Sequence, residues 1–135
     1  ISRSGKVMDL ERIRFVDKKG EERGYIGIEE SGEPGLQLLG DSNSEISLHV
    51  SEVGPDLELI GPKHSGTVLL RVRSDSGGIS LFDEDAELRF IATLHNNSPV
   101  AALMNKDDKG GVYLQALPGV GGSIQVENEN GDAID

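Results

Sequence analysis

Gly24-Tyr25-Ile26-Gly27-Ile28 is the first of five short stretches, mostly of alternating apolar residues, that recur along this chain at a constant spacing of 22 residues. The other four stretches occupy residues 46–50, 68–72, 90–94 and 112–116. A constant period of this size indicates a repeat architecture, in which each unit buries its apolar side chains against its neighbours. The spacing therefore predicts the architecture before it says anything about activity.

A second type of short stretch occurs before, between and after the first, and its two apolar residues flank one polar or small residue. These pairs are Ile13/Phe15, Leu36/Leu38, Leu57/Leu59, Ile79/Leu81, Ala101/Leu103 and Ile124/Val126. Period-2 alternation over four to six residues is typical of a half-buried strand, whereas no ten-residue stretch has helical spacing of its apolar residues. We therefore predict two strands per repeat and no helix after about Leu10.

The connections between these strands are short and rich in turn-forming residues. Asp or Asn opens most of the turns after the second type of strand, and Pro and Gly mark those after the first type. Such turns reverse the chain, whereas parallel neighbours need longer crossovers. The sequence thus predicts an all-β, antiparallel meander of about 11–12 short strands in five to six repeats. The alternatives are a monomeric β-solenoid, with Ile26, Leu48 and Leu70 stacked in parallel, and an up-and-down barrel.

Composition limits the classes of partner. The chain has 135 residues, no Cys and a net charge of −11, so we expect no disulfide, no thiolate metal site and no affinity for nucleic acid. No apolar run approaches the length of a membrane span. The chain begins at Ile1 rather than Met, and we interpret residues 1–9 as an N-terminal tail or linker remnant and residues 10–135 as a single β-repeat domain.

A long meander with one apolar face needs a cover, which a second copy of the same chain supplies without any special sequence device. We therefore expect a homo-oligomer, most simply a trimeric β-prism. Its predicted core comprises Ile26, Ile28, Leu48, Val50, Leu70, Val72, Leu94 and Leu114. The opposite face carries two further apolar columns, interpreted as second-face packing or as the seam with a partner chain, with an aromatic-lined sugar or peptide groove as the alternative: Val16, Leu39, Ile60, Phe82 and Met104, and Tyr25, Leu69, Ile91 and Tyr113.

The first repeat resembles a known bacterial pattern. Phe15-Val16-Asp17, Gly20, Arg23, Ile26 and Ile28, followed by Gly32 and Pro34, are similar to the repeat L-x-L-x-D-x-x-G-x-x-R-x-x-L-x-V of uncharacterised bacterial proteins. A looser likeness extends to the trimeric β-prism and triple-stranded β-helix shafts of phage tail fibres. The match covers residues 10–39, and later copies have Glu45, Thr67 and Gly111 near the place of the Arg. The resemblance implies a trimer with a stalk-like role and an extracellular or cell-surface location.

Candidate chemical sites are few. The three His residues occupy three different phases of the repeat, which is typical of solvated side chains rather than of a metal site. Acidic turns offer oxygen ligands for Ca²⁺, with Asp83, Asp85, Asp107 and Asp108 as the candidates, although their spacing matches no known calcium loop. No catalytic constellation is present, and no cofactor is expected. We therefore predict a non-enzymatic structural or interaction module, a stalk, spacer or assembly domain; the alternative is a small carbohydrate- or ligand-binding module, Ca²⁺-assisted in one version.

Overall fold

Eleven antiparallel strands form one sheet in the order in which they follow one another along the chain. The computed structural model describes residues 11–106, 110–117, 119 and 121–134. The strands are β1 (Arg12–Val16), β2 (Glu22–Ile28), β3 (Pro34–Leu39), β4 (Glu45–Ser51), β5 (Gly54–Ile60), β6 (Thr67–Val72), β7 (Ser76–Phe82), β8 (Leu88–His95), β9 (Ser98–Met104), β10 (Gly111–Leu117) and β11 (Gly121–Glu127). The predicted meander is confirmed.

The register of the sheet rules out both alternative topologies. Each strand pairs only with its sequence neighbours, and every pairing is antiparallel, so Ile26 lies opposite Leu36 rather than beneath Leu48 as a solenoid would require. Within the described residues β1 and β11 are the two edges of an open sheet, so there is no closed barrel. Short turns enforce this order, because a connection of a few residues can reach only the adjacent antiparallel position.

Two sets of turns define the two long edges of the sheet. The aspartate edge carries the turns after odd-numbered strands, which begin at residues 17, 40, 61, 83, 105 and 128. Each of these turns is closed by a backbone hydrogen bond such as that from Asp17 N–H to the Glu21 carbonyl oxygen, 2.9 Å. The proline edge carries the turns after even-numbered strands, such as the one at residues 29–33, where the Glu29 N–H donates to the Glu33 carbonyl at 2.8 Å.

The prediction that no helix follows Leu10 is wrong at two turns of the aspartate edge that lie wholly within the described residues. Asp41–Asn43 and Pro62–His64 each form a single turn of 3₁₀ helix. Tight closure produces them: the Ser44 N–H donates to the Asp41 carbonyl at 3.3 Å, and the Ser65 N–H donates to the Pro62 carbonyl at 3.1 Å. Each turn also contains two residues with positive φ, so neither can propagate into a longer helix.

Candidate assembly surface

One face of the sheet is made of three uninterrupted apolar rows, which together we call the apolar face. Residues that lie opposite one another in an antiparallel register point to the same side of the sheet, so the register defines each row. The middle row is Ile13, Ile26, Leu36, Leu48, Leu57, Leu70, Ile79, Ala92, Ala101, Leu114 and Ile124. The row nearer the aspartate edge is Phe15, Gly24, Leu38, Ile46, Leu59, Val68, Leu81, Phe90, Leu103, Val112 and Val126. The row nearer the proline edge is Ile28, Pro34, Val50, Pro55, Val72, Gly77, Leu94, Pro99, Ala116 and Gly122. Within the strands, no charged or hydrogen-bonding side chain interrupts any of the three rows; Glu11, just before β1, lies opposite Ile28 at the end of the third row.

The apolar face is open to solvent in a single chain. Fifteen of the 18 large hydrophobic residues that are exposed among the described residues belong to its three rows, with exposed fractions from 37% at Val126 to 75% at Ile124. Eleven strands about 4.8 Å apart and three rows make this face roughly 50 Å long and 15 Å wide. Contiguous apolar patches on a soluble monomer rarely exceed about 300–600 Å². The exposed apolar area is therefore larger than an ordinary surface tolerates.

The row nearer the aspartate edge has one position without a side chain, at Gly24. Gly24 has a φ of +143°, and a Cβ atom there would lie 2.1 Å from the Gln37 carbonyl oxygen, so no side chain fits without moving the backbone. Phe15 lies directly opposite Gly24 in the register. A large ring beside a strand glycine compensates for the missing side chain, and the row stays apolar across this position.

The opposite face, which we call the mixed face, is covered by its own side chains. Apart from two glycines, the buried residues of the described ranges lie in its middle row: Ser47 at 1%, Ala102 at 5% and Tyr25 at 8% exposure. The guanidinium of Arg12 stacks 3.8 Å above the Tyr25 ring. This arrangement gives a cation–π contact and removes the ring from solvent. The two faces therefore differ, since nine of the 11 positions in the middle row of the mixed face are buried or half-buried in the single chain, whereas most large side chains of the apolar face are exposed.

Hydrogen-bonded charges complete the cover of the mixed face. Asp56 accepts from Arg71 Nε at 3.1 Å and from Arg73 Nη2 at 2.8 Å. The hydrogen bond from Arg73, with that from Arg71 and despite partial burial, lowers the pKa of Asp56 below its ordinary value. Glu29 accepts a hydrogen bond from the Tyr25 hydroxyl at 2.9 Å, and burial together with this bond raises the pKa of Tyr25. These contacts hold the polar side chains flat against the sheet.

The columns predicted for the second face all lie on the mixed face. Tyr25, Leu69, Ile91 and Tyr113 share its middle row, separated by small or polar residues such as Ser80. Leu39, Ile60, Phe82 and Met104 lie in the row near the aspartate edge and are half-buried, whereas Val16 in β1 is 56% exposed. Their arrangement matches second-face packing between neighbouring strands, while the sugar or peptide groove stays a prediction.

An Asp–Arg pair, which we call an aspartate–arginine clip, links the turn that begins at Asp17 to the next turn of the aspartate edge. The Asp17 carboxylate accepts from the Lys19 and Glu21 N–H groups at 2.8 and 3.0 Å and from Arg23 Nε at 3.1 Å. The same guanidinium group also contacts the next turn, where Arg23 Nη1 lies 3.3 Å from the carboxylate of Asp41. The hydrogen bond from the Lys19 N–H, opposed by partial burial, lowers the pKa of Asp17.

The second clip lies 66 residues further along, three repeats away. Asp83 accepts from the Glu87 N–H at 3.1 Å and from Arg89 Nε at 2.6 Å, and Arg89 Nη1 donates to the Asn105 carbonyl of the next turn. Partial burial raises the pKa of Asp83, but the hydrogen bonds from Arg89 and from the turn N–H groups outweigh it and leave the pKa lowered. The sequence prediction considered which residue each later repeat has in place of Arg23, and it missed this clip. The Asp-x₅-Arg spacing at residues 83–89 is nevertheless visible in the sequence.

The eight residues predicted for the oligomer core all lie on the apolar face and are all exposed in the single chain. Their exposed fractions run from 38% at Leu48 to 56% at Val72. Their burial between copies stays a prediction. The members of this set are Ile26, Ile28, Leu48, Val50, Leu70, Val72, Leu94 and Leu114.

The calcium candidates do not gather into a site in the part of the chain that the structure describes. Asp83 is engaged by Arg89, and Asp85 forms an ion pair with Lys106 at 3.0 Å. Asp107 and Asp108 lie outside the described residues. Among residues 11–106, 110–117, 119 and 121–134, no group of three or more His, Asp or Glu side chains is placed to hold a metal ion.

No helix within the described ranges has the length and hydropathy needed to cross a membrane. Comparisons with protein-family models, with curated proteins and with solved structures give no significant match to this chain.

Proposed function

We propose that this protein is a non-enzymatic structural module that assembles with two further copies of itself through the apolar face. In this role it is a stalk, spacer or assembly domain, and the resemblance of its first repeat supports an exported or phage-like context. The observation that carries the proposal is the apolar face itself: three unbroken rows on an open, single-layer sheet. A layer of this kind needs a second layer to exclude water from its apolar side.

The free energy available from covering this face is large. The exposed fractions of its 15 large hydrophobic residues are together equivalent to about seven complete side chains. Burying them is worth roughly 10–20 kcal/mol per chain, since one such side chain contributes about 1.5–3 kcal/mol. Association costs about 4–15 kcal/mol per step. Three copies that share one core therefore retain a surplus.

The lengths of the strands favour three copies. Strands of six or seven residues span roughly 20 Å, and in a triangular prism of that side each sheet lies about 6 Å from the axis. Packed sheets are about 10 Å apart, so each contributes about 5 Å of side chains, which fills such a core. A square prism of the same side puts each sheet about 10 Å from the axis and leaves the centre empty. Three sheets around a closed axis also present identical faces to one another.

A spacer role follows from the repeat. Each 22-residue unit adds two strands, and therefore roughly 10 Å of length along the stacking direction. Turns hold the strands in order on both edges, and the two aspartate–arginine clips each join one turn to the next. The number of repeats then sets the length, and the clips limit bending between neighbouring repeats.

Thiol accessibility tests the burial of the apolar face, because the chain has no Cys of its own. Leu70→Cys places a thiol on the apolar face, and Ser123→Cys places one at an exposed position of the mixed face. We expect the thiol at position 70 to react with a soluble disulfide reagent at least about tenfold more slowly than the thiol at position 123, because assembly covers it. Equal rates in folded protein would contradict the proposal.

A further inference from the structure

We propose that the copies stand parallel and in register, with Lys18 and Lys19 on the aspartate edge of one copy paired with Glu30 and Glu33 on the proline edge of the next. This inference rests on the proposed function and adds the polarity and register of the assembly. Rotation about an axis along the stacking direction brings the aspartate edge of each sheet against the proline edge of its neighbour. The two edges therefore form every corner of the assembly.

The charges on these two edges are complementary at levels of the sheet that differ by one strand spacing, about 4.8 Å. Lys18 and Lys19 lie in the turn between β1 and β2, and Glu30 and Glu33 lie in the turn between β2 and β3. Lys18, Lys19 and Glu30 are exposed, Glu33 is half-buried, and no ion pair of these four side chains occurs within the described residues. Their charges are therefore available to a neighbouring copy.

These charges cannot meet within one chain. The two turns lie at opposite ends of β2, which has seven residues and spans roughly 20 Å. A long side chain reaches only a fraction of that distance, and charges further apart than about 8–10 Å are screened at ordinary salt. Any energetic coupling between the two turns must then arise between copies.

A second pair repeats the arrangement further along the sheet. Lys63, in the aspartate-edge turn between β5 and β6, and Glu52, in the proline-edge turn between β4 and β5, are both exposed. Neither forms an ion pair in the described part of the chain. In a parallel, in-register assembly these two levels differ by one strand spacing, about 4.8 Å, which a lysine side chain spans. The lysine level lies one strand spacing before the glutamate level in the first pair and one after it in the second. A shift of one copy along the axis that brings one pair closer therefore separates the other.

An antiparallel assembly makes a different prediction. A two-fold axis along the strands inverts the strand order and sets aspartate edge against aspartate edge. Lys18 and Lys19 would then face the far end of the same edge, where Glu129 is exposed in the turn after β11. The identity of the carboxylate that couples to the lysines therefore reports the polarity of the assembly.

The test is a charge-reversal cycle on the whole chain. We expect K18E/K19E and E30K/E33K each to weaken the assembly constant at least about tenfold in roughly 50 mM salt, because each creates like charges at every corner. The combination of all four changes restores the constant to within about threefold of the original, and the losses fade near 1 M salt. Sedimentation equilibrium measures each constant.

The control pairs K18E/K19E with E129K. No rescue by E30K/E33K with a trimer mass overturns the parallel register and upholds the proposed function. Rescue by E129K with a dimer mass overturns both the register and the three-copy assembly. A monomeric mass for the unmodified protein overturns both. Circular dichroism confirms that every variant retains its strands, and these exposed turn positions leave the apolar rows unchanged.

Discussion

Replacing Leu114 with Asp tests the apolar face at a single position. Leu114 lies in the middle row and is 45% exposed in the single chain. Its neighbour Gln115 lies in the same strand, is also exposed, and points to the mixed face. The two positions share their backbone and differ in the face to which they point, so Gln115→Asp is a matched control.

The expected loss follows from the exposure of the side chain. In the proposed assembly the exposed 45% of Leu114 becomes buried, which is worth about 0.7–1.4 kcal/mol per copy. Asp replaces that gain with an ionised carboxylate in a low-dielectric core, at a cost of several kcal/mol per charge, and places three such charges near one axis. We expect a total loss of at least about 5 kcal/mol, more than a thousandfold in the assembly constant. Gln115→Asp stays within about 0.5 kcal/mol because its surroundings remain solvated.

Sedimentation equilibrium and far-ultraviolet circular dichroism are the assays. Leu114→Asp either separates into single chains or loses its strand signal, because a single layer with an uncovered apolar face is only marginally stable. Gln115→Asp keeps both the mass and the spectrum of the original protein. If the two variants show the same mass and the same unfolding midpoint, the apolar face is not the shared surface and the reasoning fails.

Three further predictions concern stability. The pKa values of Asp17, Asp56 and Asp83 are lowered in the folded state. Their contribution to the stability of the fold is therefore present above the unfolded pKa of about 3.9 and is lost as pH falls through their folded pKa values. A melting temperature that stays level from about pH 5 to pH 2 contradicts this. Arg89→Gln removes contacts to Asp83 and to the next turn, so it should lower the melting temperature more than Arg14→Gln, whose single ion pair is 3.5 Å long and exposed; differential scanning calorimetry compares the two. The proposed assembly couples folding to association, so the melting temperature of the unmodified protein should rise with protein concentration; a constant value across a hundredfold range would be inconsistent with that coupling.

Most of the fold could be predicted because the same pattern of alternating apolar residues and turn residues recurs in each repeat. Strand identity follows from period-2 alternation, and strand order follows from turns too short for any other connection. Eight residues chosen from the regular repeat alone proved to share one face of the sheet. The two 3₁₀ turns were not predicted, because they depend on positive φ at residues such as Ser42 and Lys63, which are not typical of that conformation.

The surface features were harder to predict from sequence. The clip at Asp83 and Arg89 depends on a bulge in the pairing of β7 with β8, which shifts the register between Leu81 and Phe82. A similar shift lies between Phe15 and Val16 beside the first clip. Repeat alignment by apolar residues treats such an extra residue as noise, although it directs the arginine towards the turn. The cover of the mixed face likewise depends on long side chains whose partners lie 15 or more residues away, as for Arg71 and Asp56.

The mass of the unmodified protein in solution tests the central claim most directly. Three chains of 14.4 kDa each give about 43 kDa, and sedimentation equilibrium at several concentrations resolves this value from a dimer near 29 kDa. The proposal predicts the trimer mass with a full strand signal. A folded protein that remains at 14.4 kDa across the concentration range would contradict it, because the apolar face would then be exposed to water without a partner.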